Sequence, residues 1–335
     1  MTRVLVTGAA GFIGSHLCEG LLSRGVRDLV ALDNFSRGRM QNLGRFRNSL
    51  TLIEGDVRDR RVLEEVTKDR DVVYHLAAQS SVMTAEEDRE TSFSSNVVGT
   101  YNLLAAAEKA GAERVVFTSS REVYGDPLEL PVPESAPLAP KNMYGASKVA
   151  GEAICSAFRH AGLDTRILRL SNVYGPRDRD RVIPLFIGSA QSGHALTLFG
   201  GEQVLDLVWV GVVVDALLKA GLDDSAAETL NIGGGIGTPI KDLANRVLLE
   251  TKSSSSISVL PSRSPEVTRF VADVRRAQQV LNLKLPRDPL SHLADVVRSM
   301  RDPHEIADRA ASSASSHFKV STPSPVDTGP GAGSR

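Results

Sequence analysis

The chain has 335 residues, of which 41% are hydrophobic and 24% charged, enough for one large α/β unit with an extension and a sizeable core. Lys and Arg number 39 against 40 Asp and Glu, a net charge of −1, which excludes the strong basic field of a DNA- or RNA-binding protein. The two cysteines, Cys18 and Cys155, are far apart, so we expect neither a disulfide framework nor a metal site.

The first half of the chain alternates between short β-rich runs and helical patterns. Strands are predicted at residues 4–6, 29–32, 50–53, 72–76, 115–117 and 165–170, and helices at 13–22, 96–110 and 144–161. Because strands that alternate with helices need crossover connections, we predict a doubly wound parallel α/β sheet with helices on both faces. Ligands of such sheets bind beyond the carboxyl ends of the strands.

The pattern loosens after about residue 172. Short strands at 196–198, 204–210 and 230–232 mix with helices at 183–192, 240–250 and 290–300. We expect a sheet domain over residues 1–172, to which later segments contribute, and a smaller α/β lobe over 173–303. Ser, Pro, Gly and Ala dominate residues 304–335, which predicts a disordered tail. No apolar run reaches the roughly 20 residues that span a bilayer, so we expect a soluble cytoplasmic protein with no membrane partner.

A glycine-rich turn separates the first predicted strand from the first predicted helix. Gly8, Gly11 and Gly14 follow the spacing G-x-x-G-x-x-G around Phe12 and Ile13. Glycines let the backbone approach a pyrophosphate closely, and the helix N-terminus offers free N–H groups and a partial positive charge. The turn therefore indicates a dinucleotide site, with a turn that binds nothing as the alternative.

A carboxylate, Asp33, ends the second predicted strand and supports this interpretation. A carboxylate there can bind both ribose hydroxyls of an adenosine and would repel a 2′-phosphate, so the sequence favours NAD over NADP. Arg37 and Arg39 argue mildly in the other direction. Asp56 and Val57, after the third predicted strand, suit the adenine edge, although a solvated turn also explains Asp56.

A phenol and an ammonium lie four residues apart, at Tyr144 and Lys148. They share one helix face, where the ammonium is expected to lower the pKa of the phenol toward working pH. Ser120, at the end of the fifth predicted strand, can share the proton of a substrate alcohol with Tyr144. Nicotinamide chemistry needs such an acid/base while hydride leaves carbon, although Tyr/Lys pairs are also common on protein surfaces.

Together the motifs resemble the extended short-chain dehydrogenase/reductases, and more narrowly the NAD-dependent nucleotide-sugar epimerase/dehydratase family. The resemblance rests on residues 7–14, 33–34, 76–78, 96, 119–120, 123–125, 144–148 and 172–176. It implies an NAD-binding Rossmann domain over 1–172, a lobe over 173–303 that binds a nucleotide-sugar substrate, and a homodimer.

The resemblance also implies roles for particular residues. Ser120, Tyr144 and Lys148 take the catalytic positions. The cofactor positions are Gly8, Gly11, Phe12, Ile13, Gly14, Asp33, Asn34, Asp56, Val57, Leu76, Ala77, Ala78 and Asn96, with Tyr144 and Lys148. The substrate positions are Ser120, Asn172, Arg181 and Arg263.

One departure from the family pattern leaves the reaction open. Simple 4-epimerases usually carry a small residue where Glu122 stands. Dehydratases and uronic acid decarboxylases carry Glu, which could remove a proton α to a transient 4-ketone; pairing with Arg121 is the alternative for Glu122. Dehydratases carry an acidic Asp where Arg121 stands, and arginine remains protonated and cannot act as that acid.

A second departure lies in the substrate lobe. Leu205 stands where the family usually has an arginine that binds a phosphate. Leucine cannot do this, so Arg181, Arg263 or Arg269 must carry more of the diphosphate charge.

The leading hypothesis is a nucleotide-sugar 4-epimerase that passes through a 4-keto sugar with no net redox change. The alternative is a dehydratase or UDP-glucuronate decarboxylase that uses Glu122 at C5. The intact Ser120, Tyr144 and Lys148 weigh against a dinucleotide-sensing regulator, and Asp33 weighs against an NADP-linked ketone reductase.

Overall fold

The computed structural model describes residues 2–223, 228–262 and 267–301. Arg263 and the expected tail over residues 304–335 lie outside the described residues. The strands are β1 (Arg3–Thr7), β2 (Asp28–Asp33), β3 (Thr51–Glu54), β4 (Val72–His75), β5 (Arg114–Ser120), β6 (Asp164–Leu170), β7 (Asn172–Tyr174), β8 (Leu196–Phe199), β9 (Val204–Trp209), β10 (Thr229–Ile232), β11 (Gly237–Pro239) and β12 (Ile257–Leu260).

The α-helices, numbered in chain order, are α1 (Phe12–Ser23), α2 (Met40–Leu43), α3 (Arg60–Val66), α4 (Val82–Glu87), α5 (Arg89–Phe93), α6 (Gly99–Lys109), α7 (Met143–His160), α8 (Val182–Gln191), α9 (Val210–Leu222), α10 (Ile240–Thr251), α11 (Arg275–Leu281) and α12 (Leu293–Ser299). A π-turn (Ser94–Val98) joins α5 to α6, and 3₁₀ turns cover Gly44–Ser49 and Arg121–Tyr124. None of the helices in the described residues is long and apolar enough to cross a membrane.

The main sheet has seven strands in the order β10-β6-β5-β4-β1-β2-β3, and every pairing is parallel. Successive side chains of a strand point to opposite faces. Accordingly, Val4 and Val6 pack with helices α1, α9 and α11, whereas Leu5 packs with α3, α6 and α7. Both faces are therefore covered by helices, and the predicted doubly wound α/β fold is confirmed.

Three segments from the second half of the chain join this sheet domain, namely α9, β10 and α11. The strand predicted at 230–232 is β10, which pairs with β6 at the sheet edge. Helix α9 packs so closely on α1 that a Cβ on Gly20 would lie 2.9 Å from the Val214 side chain. A strand of four residues does not specify which sheet it joins, so the sequence alone left this placement open.

The remaining elements surround a second apolar core. It is formed by helices α8, α10 and α12 with a β11-β9-β7 sheet and a β12-β8 pair. Buried Asp206 on β9 connects this lobe to the loop after β10, because its carboxylate accepts the backbone N–H groups of Gly234 at 2.6 Å and Ala272 at 2.8 Å. Burial raises the pKa of Asp206 to about 6.

Candidate active site

The turn between β1 and α1 forms a cradle that only glycine fits. Gly8 has a φ of +67°, and a Cβ on it would lie 2.8 Å from the Ala77 amide nitrogen. A Cβ on Gly14 would lie 2.1 Å from the Gly8 carbonyl oxygen. Among the described residues, no side chain caps α1 and no acidic residue lies in its first turn, which begins at Phe12. Its N–H groups therefore suit a pyrophosphate.

Asp33 closes this turn as well as ending β2. Its carboxylate accepts the backbone N–H groups of Ala10 and Phe35, both at 2.8 Å. Burial raises the pKa of Asp33, and these backbone hydrogen bonds oppose the rise. A carboxylate has about four lone-pair positions, so Asp33 keeps room for a ribose hydroxyl of an adenosine beside these backbone bonds.

Asn34, Asp56 and Val57 lie together after β2 and β3. The Asn34 amide donates to Asp56 at 2.8 Å, and Arg58 donates to both Asp56 carboxylate oxygens at 2.8 Å. The Arg58 hydrogen bond lowers the pKa of Asp56 to about 2. Val57 is buried, and a Cβ on Gly99 would lie 2.7 Å from it. The sequence analysis missed Arg58, although it follows Asp56 by two residues.

Asn96 lies in the π-turn and its amide joins two other segments. Oδ1 accepts the Gln79 N–H at 2.8 Å, and Nδ2 donates to the Gln79 carbonyl at 3.1 Å and to Ser147 Oγ at 3.0 Å. Gln79 directly follows residues 76–78, which the sequence places in the cofactor site. Asn96 thus connects the loop after β4 to helix α7.

The structure brings Ser120, Tyr144 and Lys148 together where β5 ends and α7 begins. The Ser120 side chain interacts with the Tyr144 phenol and opposes the rise in its pKa. Ser120 Oγ accepts the Glu122 N–H at 3.2 Å. Lys148 Nζ donates to the Thr118 carbonyl at 2.8 Å and lies 5.9 Å from the centre of the Tyr144 ring. The phenol of Tyr144, the hydroxyl of Ser120 and the ammonium of Lys148 therefore lie close together.

The largest charge effect on Tyr144 comes from Arg181. Burial raises the pKa of Tyr144, and the Arg181 guanidinium opposes this rise more than the Ser120 hydrogen bond does. Burial lowers the pKa of Lys148 to about 8. We expected Lys148 to lower the Tyr144 pKa. Its ammonium is bonded to the Thr118 carbonyl, and the largest charge effect on Tyr144 comes from Arg181, which is more distant in the sequence.

Glu122 is buried and bonded through both carboxylate oxygens. Arg121 pairs with Oε1 at 2.9 Å, and Asn142 Nδ2 donates to Oε2 at 2.8 Å. Asn142 is also the N-cap of α7, where Oδ1 accepts the Gly145 N–H at 2.8 Å. The pairing with Arg121 is the alternative that the sequence offered for Glu122. Asn142 was missed, although an Asn directly before a helical pattern is an N-cap signal.

Asn172 and Arg181 are, with Ser120, the predicted substrate residues that the structure describes. Asn172 Oδ1 is buried and has no protein partner in the described part of the chain. Arg181 donates to Asp178 Oδ1 at 3.0 Å, and its guanidinium lies 5.4 Å from the centre of the Phe12 ring. Asp178 Oδ2 is also buried and unpaired within the described ranges, and burial raises the pKa of Asp178 to about 6.

Of the other residues considered at the diphosphate position, Leu205 and Arg269 lie in the described part of the chain. Leu205 is 7% exposed and packs in the core of the lobe, so its side chain binds no phosphate. Arg269 is exposed beside Val204. Arg263 lies outside the described residues.

Arg37 joins the loop after β2 to the loop before α8. It pairs with Asp180 and donates to Ser80 Oγ at 3.1 Å. The sequence analysis weighed Arg37 as a partner for the 2′-phosphate of NADP. Its guanidinium is bonded to Asp180 instead, which weakens that argument for NADP.

This chain has the features of an extended short-chain dehydrogenase/reductase, namely the parallel sheet, the glycine cradle and the group formed by Ser120, Tyr144 and Lys148. The sequence model of the NAD dependent epimerase/dehydratase family matches residues 4–233. The UDP-glucose 4-epimerase of Mycolicibacterium smegmatis is 36% identical over 289 residues, which are 83% of this chain and 92% of the relative. This chain therefore belongs to the NAD dependent epimerase/dehydratase family.

Two further relatives show the range of the family. The UDP-N-acetyl-alpha-D-glucosaminuronate decarboxylase of Bacillus cytotoxicus is 33% identical over 296 residues, 80% of this chain and 90% of the relative. The crystal structure of the UDP-glucose 4-epimerase of Thermus thermophilus in complex with NAD has a TM-score of 0.83 and 31% identity, with 90% of this chain and 100% of that one covered. The predicted family and the NAD cofactor are confirmed, and the protein is an enzyme of this family.

Proposed function

We propose that this enzyme is a nucleotide-sugar 4-epimerase that acts through a transient 4-keto sugar. The observation that carries the proposal is that the Ser120 side chain interacts with the Tyr144 phenol beside Lys148. Tyr144 takes the proton of the sugar 4-hydroxyl, and Ser120 shares that proton through its hydrogen bond. When bound, NAD supplies the hydride acceptor and donor for C4.

The second half of the reaction uses the same residues. The 4-keto sugar turns over in the site, and Tyr144 returns the proton to the oxygen of the opposite alcohol. Because the proton and the hydride both return, there is no net oxidation. The Arg181 charge near Tyr144 favours the phenolate that this cycle needs.

The substrate is proposed to be a hexose linked to a uridine diphosphate, as the names of the epimerase relatives suggest. Arg181 is the described arginine best placed for the diphosphate, because it lies between Phe12 and Asp178. Asn172, whose buried Oδ1 has no partner within the described ranges, is proposed to bind the same part of the substrate. Arg181 comes from the lobe that we propose over residues 173–303, and Asn172 directly precedes that lobe.

The contacts of Glu122 favour epimerisation over elimination. Both Glu122 oxygens are bonded, one to Arg121 and the other to Asn142, which gives the carboxylate a structural role that needs no proton transfer. We therefore propose that Glu122 positions the start of α7 through Asn142.

A second candidate function is dehydration or decarboxylation of the same 4-keto sugar. It is favoured by the position of Glu122, whose backbone N–H donates to Ser120 Oγ at 3.2 Å. It is also favoured by the decarboxylase of Bacillus cytotoxicus among the relatives.

The two functions differ in the mass of the product. We would incubate the purified enzyme with UDP-glucose, UDP-GlcNAc and UDP-glucuronate and analyse the products by mass spectrometry and NMR. Epimerisation leaves the mass unchanged, dehydration removes water and decarboxylation removes carbon dioxide. Loss of water or carbon dioxide as the main reaction would overturn the epimerase proposal.

Glu122→Gln gives a second, independent test. Glutamine keeps an acceptor for Asn142 but cannot act as a base, so an epimerase retains most of its turnover. If this variant loses turnover while NAD stays bound, Glu122 is the base of a lyase. Asn142→Ala is the matched control, because it removes the Asn142 contact with Glu122 and leaves the carboxylate itself in place.

We also propose that the partner is a second copy of this chain. Phe93 and Tyr101, 50% and 47% exposed, lie on the continuous helical run from α5 to α6, and the Tyr101 ring is 6.0 Å from the Phe158 ring of α7. An exposed aromatic face on adjacent helices suits a self-association surface. Tyr101→Glu should convert a dimer to a monomer in light scattering, and a wild-type monomer would refute the proposal.

A further inference from the structure

A buried histidine lies under the NAD site and takes no part in the proposed chemistry. His75 ends β4 and is 1% exposed. Both of its ring nitrogens are hydrogen bonded to threonines, Nδ1 to Thr7 Oγ1 at 2.8 Å and Nε2 to Thr100 Oγ1 at 3.0 Å. Both threonines are buried as well.

The neighbouring bonds fix the direction of each of these contacts. Thr100 Oγ1 gives its single proton to the Asn96 carbonyl at 2.6 Å, so it must accept from His75 Nε2–H. Thr7 Oγ1 accepts the Ala77 N–H at 3.2 Å and gives its own proton to His75 Nδ1. The neutral Nε2–H tautomer of His75 satisfies every donor and acceptor in this set of hydrogen bonds. Burial lowers the pKa of His75 to about 3.

This hydrogen-bonded chain joins two walls of the NAD site. At one end, Thr7 directly precedes Gly8, and a Cβ on Gly8 would lie 2.8 Å from the Ala77 nitrogen, so the glycine turn and the loop after β4 touch. At the other end, Asn96 lies in the π-turn Ser94–Val98. Such turns are uncommon and are frequent at functional sites.

We propose that His75 is a positioning residue for the dinucleotide. Through Thr7 it fixes the end of β1 that leads into the glycine turn, and through Thr100 it fixes the π-turn that carries Asn96. One imidazole thereby sets the spacing between the wall beside the pyrophosphate and the wall near Tyr144. The role concerns cofactor binding alone, so it holds for an epimerase and for a lyase.

Two variants test the two hydrogen bonds of His75 separately, the one with Thr7 and the one with Thr100. In His75→Asn the shorter amide can still accept the Thr7 hydroxyl, but it is too short to reach Thr100. In His75→Gln the longer amide can donate to the Thr100 hydroxyl, but the bond with Thr7 is lost. We would measure the NAD content of the full-length holoenzyme after gel filtration, and the rate at which bound NAD exchanges with labelled NAD in the absence of any sugar nucleotide. We expect exchange about tenfold faster in each variant, the effect of losing one buried hydrogen bond.

Thr67→Val is the matched control for a general loss of stability. Thr67 is a fully buried threonine whose hydroxyl donates to the Leu63 carbonyl at 2.7 Å, on helix α3. It should lower the melting temperature and leave NAD exchange at the wild-type rate. If the His75 variants behave like Thr67→Val, with a lower melting temperature and unchanged exchange, the proposal is overturned.

A second pair of variants decides the question if the His75 substitutions prevent folding. Thr100→Ser keeps the hydroxyl and should keep the wild-type exchange rate, whereas Thr100→Val removes it and should accelerate exchange. Equal exchange rates in these two variants would also overturn the proposal.

Discussion

The dinucleotide side and the sugar side of the site meet at Tyr144 and differ in how their polar atoms are paired. On the dinucleotide side, Asp33 and Asn96 bond to backbone groups of the same domain, and Gln79 Oε1 is buried without a protein partner in the described residues. On the sugar side, Asn172 Oδ1 and Asp178 Oδ2 are buried without a protein partner in the described residues. Buried polar atoms are nearly always paired. We infer that the dinucleotide side is preformed and that the sugar nucleotide completes the other side.

Tyr144→Phe tests the point where the two sides meet and has the largest expected effect. Removing the phenol removes the proposed acid/base, so turnover should fall about a thousandfold while NAD remains bound. Turnover is measured by NMR of the product and NAD by denaturing release. The control Tyr101→Phe changes an exposed tyrosine and should keep full turnover. Wild-type turnover in Tyr144→Phe would contradict the proposed mechanism.

Gly14→Ala tests whether the dinucleotide side is preformed. Its Cβ would lie 2.1 Å from the Gly8 carbonyl, so the backbone must move and the free energy of unfolding should fall by about 3 kcal/mol, with loss of bound NAD. Urea denaturation and NAD content are the measurements. Gly44→Ala is the control, because Gly44 is helical and a Cβ there has no neighbour within 4 Å among the described residues. Normal NAD content in Gly14→Ala would show that the cradle is not preformed.

Arg181→Gln tests the sugar side and should have a smaller effect. The Arg181 charge opposes the rise in the Tyr144 pKa, so its removal raises that pKa further. The phenolate is the proposed base, and the rising limb of kcat/KM against pH should therefore move to higher pH. KM should also increase, because Arg181 is proposed to bind the diphosphate. Arg181→Lys restores a charge and should recover part of the shift; an unmoved limb in the glutamine variant would refute the coupling.

Asp206→Asn tests the connection between the lobe and the sheet domain, and its expected effect on turnover is the smallest. Burial raises the Asp206 pKa to about 6, above the value of about 4 in an unfolded chain. Protonated Asp206 therefore contributes stability in full below about pH 4, and this contribution is lost as the pH rises through about 6. The free energy of unfolding of the wild type minus that of Asp206→Asn should fall over this range. An increase would contradict the pKa shift.

Local patterns predicted the fold class and the family, and both are confirmed. The glycine turn and the Tyr144 to Lys148 pair are contiguous in the sequence, so their geometry follows from one turn and one helix. The placement of β10 was not local in this sense, because its pairing with β6 joins residues that are about 60 positions apart in the chain. The contact between Glu122 and Asn142 is also not local, because it joins the end of a strand to a helix cap 20 residues further along the chain.

The roles of individual residues remain predictions, yet the structure changes the reasons for them. The sequence suggested Lys148 as the charge that acts on Tyr144, and the structure assigns the largest charge effect to Arg181. Arg181 comes from a loop 37 residues further along the chain. Helix periodicity therefore could not predict that it acts on Tyr144.

The sequence by itself determined the alternation of strands and helices, the glycine turn and the acid/base pair, because each depends on the spacing of residues within a few turns of backbone. Only the tertiary structure decided that Glu122 is held by Arg121 and Asn142, that His75 joins Thr7 to Thr100, and that Arg181 lies near Tyr144. These contacts arise when the carboxyl ends of parallel strands are brought to one edge of the sheet. The electrostatic energy of a charge depends on its distance in space from neighbouring charges, whatever their separation in the chain.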